Sequence, residues 1–160
     1  MHLTEEMKRL VRGQRLGYVA TVCPDGTPNL SPKGTVTVWN DEHLIFADIR
    51  SPRTVSNLRS NPSVEINVVD PFVRKGYRFK GTAKVLTEGP LFGEILNFFK
   101  GEVKDAERRV KSIVLVKVEH ASALISPAYE TGLSESEIIV KWRRYYENLG
   151  KGVIAEESPD

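Results

Sequence analysis

Arginines and hydroxyl side chains surround the start of a predicted short helix. Arg50, Ser51, Arg53 and Thr54 lie in the stretch ADIRSPRTVSNLRSNP, where an apolar strand-like segment meets an amphipathic one. Because Ser51 directly precedes Pro52, the pattern predicts an N-cap at position 51 and a first helical residue at 52. The first backbone N–H groups of a helix have no partner within the helix and carry a partial positive charge.

The charges of these side chains are opposite to those usually found at a helix start. Acidic residues generally occupy the first turn, whereas Arg50 and Arg53 add positive charge to a positive end. A bound phosphate would remove the repulsion, since Arg53 can hold two phosphate oxygens while the hydroxyls of Ser51 and Thr54 donate hydrogen bonds. The alternative is that both arginines are solvated surface residues and that Ser51 is only a cap.

A second polar segment favours the phosphate interpretation. The stretch NLSPKGTVTVW places Ser31, Lys33 and Thr35 at alternate positions of a predicted strand. Gly34 would allow a ligand to approach the backbone closely, although a glycine here is equally consistent with a β-bulge.

Short strands and a few helices must position these residues. The turn Pro24-Asp25-Gly26 between two apolar runs predicts a tight hairpin, because glycine adopts a positive φ without strain. Strands are predicted at 16–22, 28–39, 43–48, 63–69, 77–86 and 113–118, and helices at 3–12, 52–60, 90–99 and 134–149. This order lacks a regular strand–helix alternation and predicts a nearly closed antiparallel barrel with helices packed outside.

Composition limits the classes of function. The chain has 160 residues, 40% of them hydrophobic, and we expect a single domain at 1–149 with a flexible C-terminal tail at 150–160. A net charge of +2 is too small to indicate a nucleic-acid partner. One cysteine and the absence of metal-ligand spacing predict neither a disulfide nor a metal site. With no signal-peptide or membrane-spanning pattern, we expect a cytoplasmic protein without membrane contact.

Three segments, taken in order, resemble a known family. They are GYVATVCPDGTPNLSPKG, HLIFADIRSPRTVSNLRSNPSVEINV and YRFKGTAKVLTEGPLFGEI. Over about residues 7–126 the sequence resembles the FMN-binding split β-barrel proteins related to pyridoxamine 5′-phosphate oxidase. The resemblance implies a mainly β (α+β) fold, a six-stranded antiparallel split β-barrel with a few peripheral helices, and FMN as the cofactor.

The resemblance also implies a set of cofactor-binding residues. A segment beginning at Lys33 falls beside the flavin ring and ribityl chain, while Arg53 and Thr54 match the pair that holds the FMN phosphate. Arg78 falls where the other subunit of a homodimer completes the site at the subunit interface. The implied residues are Lys33, Gly34, Thr35, Val36, Asp48, Ile49, Arg50, Ser51, Arg53, Thr54 and Arg78.

The implied activity is that of an FMN-dependent oxidoreductase, transferring hydride or electrons through flavin N5. No catalytic side chain is assigned, and the substrate and reductant stay open, because the C-terminal stretch ISPAYETGLSESEIIVKWRRYYENLGKG lacks the substrate-binding signature of the family's true oxidases. Three alternatives remain: a non-catalytic flavin-binding or sensing module, a relative that binds deazaflavin or haem, and, less favoured, a small-barrel nucleic-acid binder.

Other reactive or aromatic residues have structural interpretations. Cys23 has no neighbouring base in the sequence to activate it as a nucleophile. Trp39 is interpreted as a core residue, since large aromatic side chains are usually buried. Trp142 lies on the apolar side of the last predicted helix, which is suited to covering a dimer seam.

Overall fold

The computed structural model describes residues 1–152, which form a seven-stranded sheet and five α-helices. In chain order the elements are α1 (Glu5–Gln14), β1 (Gly17–Val22), β2 (Pro28–Lys33), β3 (Thr37–Val38), β4 (His43–Asp48), α2 (Pro52–Ser60), β5 (Ser63–Asp70), β6 (Lys75–Leu86), α3 (Pro90–Lys100), α4 (Ala106–Arg109), β7 (Ser112–Ile125), a 3₁₀ helix (Pro127–Thr131) and α5 (Glu135–Gly150).

The strands form one antiparallel sheet in the order β2-β1-β5-β6-β7-β4-β3. Its two edge strands, β2 and β3, are neighbours in the chain and are joined by residues 34–36. A sheet whose edges are this close in sequence must curl, and the result is a half-barrel. The predicted mainly β split-barrel fold is therefore confirmed.

The sheet has seven strands rather than the predicted six, because the expected strand at 28–39 is interrupted. Ladder pairing between β3 and β4 covers only Thr37 and Val38. Before them, the Thr35 side chain bonds to the backbone of Ala47 and takes the place of ladder hydrogen bonds. Two strands therefore replace one.

The inside of the curl is an aliphatic and aromatic core. Alternate residues of the strands point inwards, and Val19, Phe46, Ile66, Phe79 and Val116 are fully buried there. Burying such side chains contributes about 1.5–3 kcal/mol each relative to leaving them exposed. This core holds the strands in register around the candidate site.

A second core lies on the opposite face of β4 and β7, under α3 and α4. Ile45 and Ile113 from the strands meet Ile95 and Phe99 from α3. Because β4 is covered on both faces, residues Leu44 to Asp48 are buried without alternation.

The neighbouring strands present an outward face with exposed apolar residues. Leu30 on β2 is 66% exposed, and Tyr18 on β1 is 44% exposed. The register continues this face across β5 and β6 through Asn67 and Arg78. A large exposed apolar side chain on a strand is a candidate contact with another molecule.

Element boundaries largely follow the sequence signals. The predicted helix at 52–60 is confirmed as α2, and Gly26 has the expected positive φ of 82°. The first helix begins later than predicted because Thr4 caps it from outside. Of the predicted tail, residue 150 belongs to α5, residues 151–152 form a turn, and residues 153–160 lie outside the described residues.

The last strand, β7, is longer than predicted. Its pairing with β6 shifts in register between Lys80 and Gly81, where there is a bulge. A Cβ atom at Gly81 would lie 2.0 Å from the Lys117 carbonyl oxygen, so this position requires glycine. Within residues 1–152, none of the helices has the length and apolar character needed to cross a membrane.

Candidate cofactor site

Lys33, the last residue of β2, is the central charge of the candidate site. Strand alternation turns its side chain inwards, and the residue is only 6% exposed. Its Nζ donates to Ser31 Oγ at 2.6 Å and to Ser51 Oγ at 2.5 Å. Burial lowers the pKa of Lys33, while the nearby Asp48 charge partly opposes this. A buried ammonium held mainly by neutral hydroxyls favours an anionic partner.

The start of α2 has no side-chain cap. Ser51 occupies the N-cap position as predicted, but its hydroxyl accepts from Lys33 and makes no capping hydrogen bond. The first turn of α2 contains no acidic residue. The N–H groups of Arg53 and Thr54 therefore combine with Lys33 to produce positive potential at one place.

Asp48, at the end of β4, fixes the turn from strand to helix. Its side chain is 5% exposed, with Oδ1 accepting from the Ser51 backbone N–H at 2.8 Å and Oδ2 accepting from Ser112 Oγ at 3.3 Å. Within residues 1–152, Lys33 forms no direct ion pair with it or with another carboxylate. The positive charge of Lys33 is thus only partly neutralised.

The break between β2 and β3 brings polar backbone to the same end of the sheet. Thr35 Oγ1 accepts from Ala47 N–H at 3.0 Å and lies 3.3 Å from the Ala47 carbonyl oxygen, to which it donates. Val36 is buried, whereas Gly34 is exposed. A Cβ atom at Gly34 would meet only Arg15 O at 3.8 Å, so close packing within the chain does not demand glycine there.

The remaining predicted residues are distributed over several surfaces. Thr54 is buried, while Arg50 and Arg53 are exposed, and Arg53 borders an open cavity of about 670 Å³ beside Cys23. Ile49 packs on the second core, and Arg78 lies on the outward sheet face in an ion pair with Glu65 at 2.9 Å. The structure therefore brings Lys33, Ser51 and Asp48 together, but leaves Arg50 and Arg78 outside this cluster.

Two polar groups near the site were missed by sequence reasoning. Ser112 holds Asp48 from the start of β7, 64 positions along the chain, and no local pattern signals that pairing. Asn57, on the buried side of α2, donates to Thr21 Oγ1 at 3.0 Å. Asn57 could have been found from the sequence, because it is a polar residue on the apolar side of a short amphipathic helix.

A comparison with family models covers most of the chain. The model described as pyridoxamine 5′-phosphate oxidase matches residues 3–123. The chain belongs to this family. The resemblance inferred from the three sequence segments is therefore confirmed.

Solved structures of other proteins show the same architecture. HupZ from Group A Streptococcus is 34% identical, with 78% of this chain and 95% of that chain covered and a TM-score of 0.70. An FMN-binding protein from Syntrophomonas wolfei is 17% identical, covering 74% of this chain and 84% of that chain with a TM-score of 0.62. HutZ, the heme storage protein of Vibrio cholerae, is 20% identical, with 78% of this chain and 95% of that chain covered and a TM-score of 0.62.

The last two likenesses show the fold alone, and their printed names refer to different cofactors. No curated protein matches this chain significantly. Membership of the family is thus established, while the cofactor must be argued from this chain's own residues.

Proposed function

We propose that this chain is an FMN-binding oxidoreductase that holds its cofactor noncovalently. The observation that carries the proposal is the buried Lys33 ammonium, which shares the Ser51 hydroxyl with the uncapped start of α2. A phosphomonoester supplies the negative charge and acceptor oxygens that these groups lack. The donor set therefore fits the phosphate end of FMN.

The residues around this cluster have separate parts in binding. Ser51, Thr54 and the first N–H groups of α2 are hydrogen-bond donors for phosphate oxygens. Arg53 is exposed in the first turn of α2, from where its flexible guanidinium would add a charge-assisted hydrogen bond once an anion is present. Gly34 leaves room for close approach of a ligand to the backbone.

When bound, FMN supplies hydride or electron transfer at its N5 atom. The chain itself supplies binding, orientation and positive charge. Lys33 keeps that charge close to the strand break at 34–36, and Asp48 holds Ser51 in position through its backbone N–H. No side chain in this arrangement has to act as a nucleophile.

We further propose a homodimer with the cofactor site at the subunit interface. Tyr18 and Leu30 are exposed on the outward sheet face. On the same face, the buried Oδ1 of Asn67 has no hydrogen-bond partner among the described residues. A second copy packed on this face would cover the apolar side chains and donate a hydrogen bond to Asn67 Oδ1. It would also bring its Arg78 towards the neighbouring site.

The absorption spectrum of freshly purified protein tests the cofactor. We expect flavin bands in the blue and near ultraviolet, whereas a Soret band would instead assign haem and overturn the FMN proposal. Arg53→Ala should weaken FMN binding by about 1.5–3 kcal/mol, the range for a charged hydrogen bond. Arg59→Ala, on the last turn of the same helix, is the matched control and should leave affinity unchanged.

Anaerobic addition of NADH or NADPH separates the oxidoreductase from a non-catalytic flavin module. Bleaching of the flavin absorbance supports electron transfer. A flavin that binds but is not bleached by either donor would favour the non-catalytic flavin-binding or sensing module.

A further inference from the structure

A cavity of about 600 Å³ opens at the end of the curled sheet where β5 turns into β6 and where β7 ends. One face of α1 forms a wall of this cavity, with Glu6, Leu10 and Gly13 spaced three or four residues apart. None of the residues implied for the cofactor lines the cavity, which we call the barrel mouth. Ligand sites of about 300–1,000 Å³ are often found in the mouths of β-barrels.

The floor of the barrel mouth continues the inner face of the sheet beyond the core. Phe79 on β6 is fully buried, and Tyr77, two residues earlier on the same face, packs against the core cluster. Across the ladder, Tyr77 pairs with Ala123, and Ile125 follows on the same face but is 61% exposed. Within residues 1–152, the sheet therefore ends in an apolar inner surface that is open to solvent.

The rim of the barrel mouth carries an excess of negative charge. Lys75 and Glu135 form an ion pair at 2.7 Å and offset each other. Asp70 accepts hydrogen bonds from neutral donors. Within residues 1–152, Asp70, Glu6 and Arg9 form no ion pair. Two carboxylates without a cationic partner thus stand against one guanidinium.

The Glu6 carboxylate reaches the edge of the apolar floor. It lies at hydrogen-bond distance from the Tyr77 hydroxyl, and burial together with this carboxylate raises the pKa of Tyr77. Tyr77 therefore keeps its proton and donates it to Glu6. A negative charge is held beside the apolar surface formed by Tyr77, Ala123 and Ile125.

From this combination we infer that the barrel mouth binds an elongated apolar molecule bearing a protonated amino group. The apolar part of the molecule covers Ala123 and Ile125, where removal of apolar surface from water is favourable. The ammonium group donates to the Glu6 carboxylate, which is a charge-assisted hydrogen bond. An anionic head group would instead meet the excess negative charge of the rim. FMN binding at the Lys33 cluster neither requires nor prevents this occupancy.

Titration with n-octylamine of the full chain, labelled with ¹³C at the isoleucine δ1 methyl groups, tests the inference. Ile125→Val identifies the Ile125 signal. We expect saturable movement of this signal with one molecule bound per chain, while the signal of Ile95, buried in the second core, stays in place. Octanoate, which has the same length and the opposite charge, should bind about two- to fivefold more weakly, the range for one exposed charge pair.

A substitution at Glu6 isolates the contribution of charge. Glu6→Gln should weaken octylamine binding about two- to fivefold, because the ammonium group loses its carboxylate partner. Binding of octanol, which has no charge, should not change. Glu94→Gln, at an exposed position on α3, changes the net charge equally and is the control for overall charge.

A substitution at Gly13 tests the location by filling the cavity. A Cβ atom at Gly13 would meet nothing within 4 Å, so Gly13→Leu places a side chain in the barrel mouth without displacing its neighbours. Octylamine affinity should fall about tenfold or more, the scale of an overpacked site. The urea midpoint should stay the same or rise, because glycine is unfavourable within a helix. Gly93→Leu on α3, where a Cβ atom also meets nothing within 4 Å, is the matched control and should bind octylamine normally.

Tighter binding of octanoate than of octylamine, full affinity in Gly13→Leu, or movement of the Ile95 signal without that of Ile125 would overturn the inference. FMN-loaded protein should bind octylamine with unchanged affinity. Displacement of octylamine by FMN would assign the barrel mouth to the cofactor site and refute a separate one. A chain that binds octylamine but no FMN would refute the proposed function and leave this inference standing.

Discussion

Lys33 shows how one side chain can be costly to the empty protein and useful to the occupied one. Its ammonium is buried, and within residues 1–152 it has hydroxyl partners rather than a carboxylate partner at ion-pair distance. The free energy that burial of this charge costs is recovered when an anion binds. Stability and affinity should therefore respond in different ways to its replacement.

Lys33→Met keeps the length of the side chain and removes the charge. We expect FMN affinity to fall about ten- to a hundredfold, the loss of one charged hydrogen bond, because the phosphate loses a donor. The free energy of unfolding of the ligand-free protein should change by less than about 1 kcal/mol, because an apolar side chain suits a buried position. FMN titration and urea unfolding measure the two quantities, and a parallel loss in both would indicate a structural role.

The pH dependence of stability should also report the burial of the Lys33 charge. Burial lowers the pKa of Lys33 below its usual 10.5, so between the two values the unfolded chain binds more protons than the folded one. The contribution of Lys33 to the free energy of unfolding should thus rise with pH across this window and level off above 10.5. Lys8, whose pKa is raised by Asp41 and Glu5, acts in the opposite direction. Subtracting the Lys33→Met curve from that of the unchanged protein isolates Lys33, and a falling difference would contradict this account.

Sequence reasoning at this scale named Lys33, Ser51 and Arg53 but not how they pair. Arg53 and Thr54 were predicted to hold the phosphate, and in the structure Lys33 is the buried cation beside the helix start, whereas Arg53 is exposed. The contact of Lys33 with Ser51 depends on how β2 curls towards α2, which local spacing does not encode. Ser112 was missed for the same reason.

At the scale of elements, the interruption between β2 and β3 is the feature that shapes the site. The alternating pattern of 28–39 is compatible with one continuous strand, and only the side-chain bridge from Thr35 to Ala47 replaces the ladder. In contrast, α2 was predicted with its correct ends because Ser-Pro and Asn-Pro delimit it within the sequence. Local stop signals can be read from sequence, whereas a bridge across 12 residues cannot.

Thr35→Val preserves shape and removes the bridging hydroxyl. We expect a loss of about 1–3 kcal/mol in the free energy of unfolding, because the Ala47 N–H is left without its acceptor. Thr37→Val, two residues later within β3, is the matched control and should stay within about 0.5 kcal/mol. Urea unfolding of the two variants provides the comparison, and equal effects would show that the bridge contributes nothing specific.

At the scale of the whole molecule, the curled sheet leaves one broad face available to another subunit. Leu30 and Tyr18 are exposed on this face, whereas Val140 is an exposed apolar residue on the side of α5 opposite Trp142. The two groups therefore allow a comparison between a proposed interface and an ordinary surface.

Leu30→Asp should give a monomer, because an aspartate on the proposed interface would be buried without a partner. Val140→Asp, on the side of α5 opposite Trp142, is the control and should leave the dimer intact. Sedimentation velocity measures the oligomeric state, and FMN retention should fall together with dimerisation if the partner's Arg78 completes the site. A dimeric Leu30→Asp protein would assign the interface to a different surface.

The arrangement of strands also sets an order of local opening. β6 is paired with β7 along its whole length and with β5 over Lys75–Thr82, whereas β2 and β3 each have one free edge. Backbone amides near the seam at 34–36 should therefore exchange with deuterium sooner than those at the centre of the sheet. A phosphate compound bound beside this strand break should slow exchange there, because a ligand stabilises the closed state to which it binds.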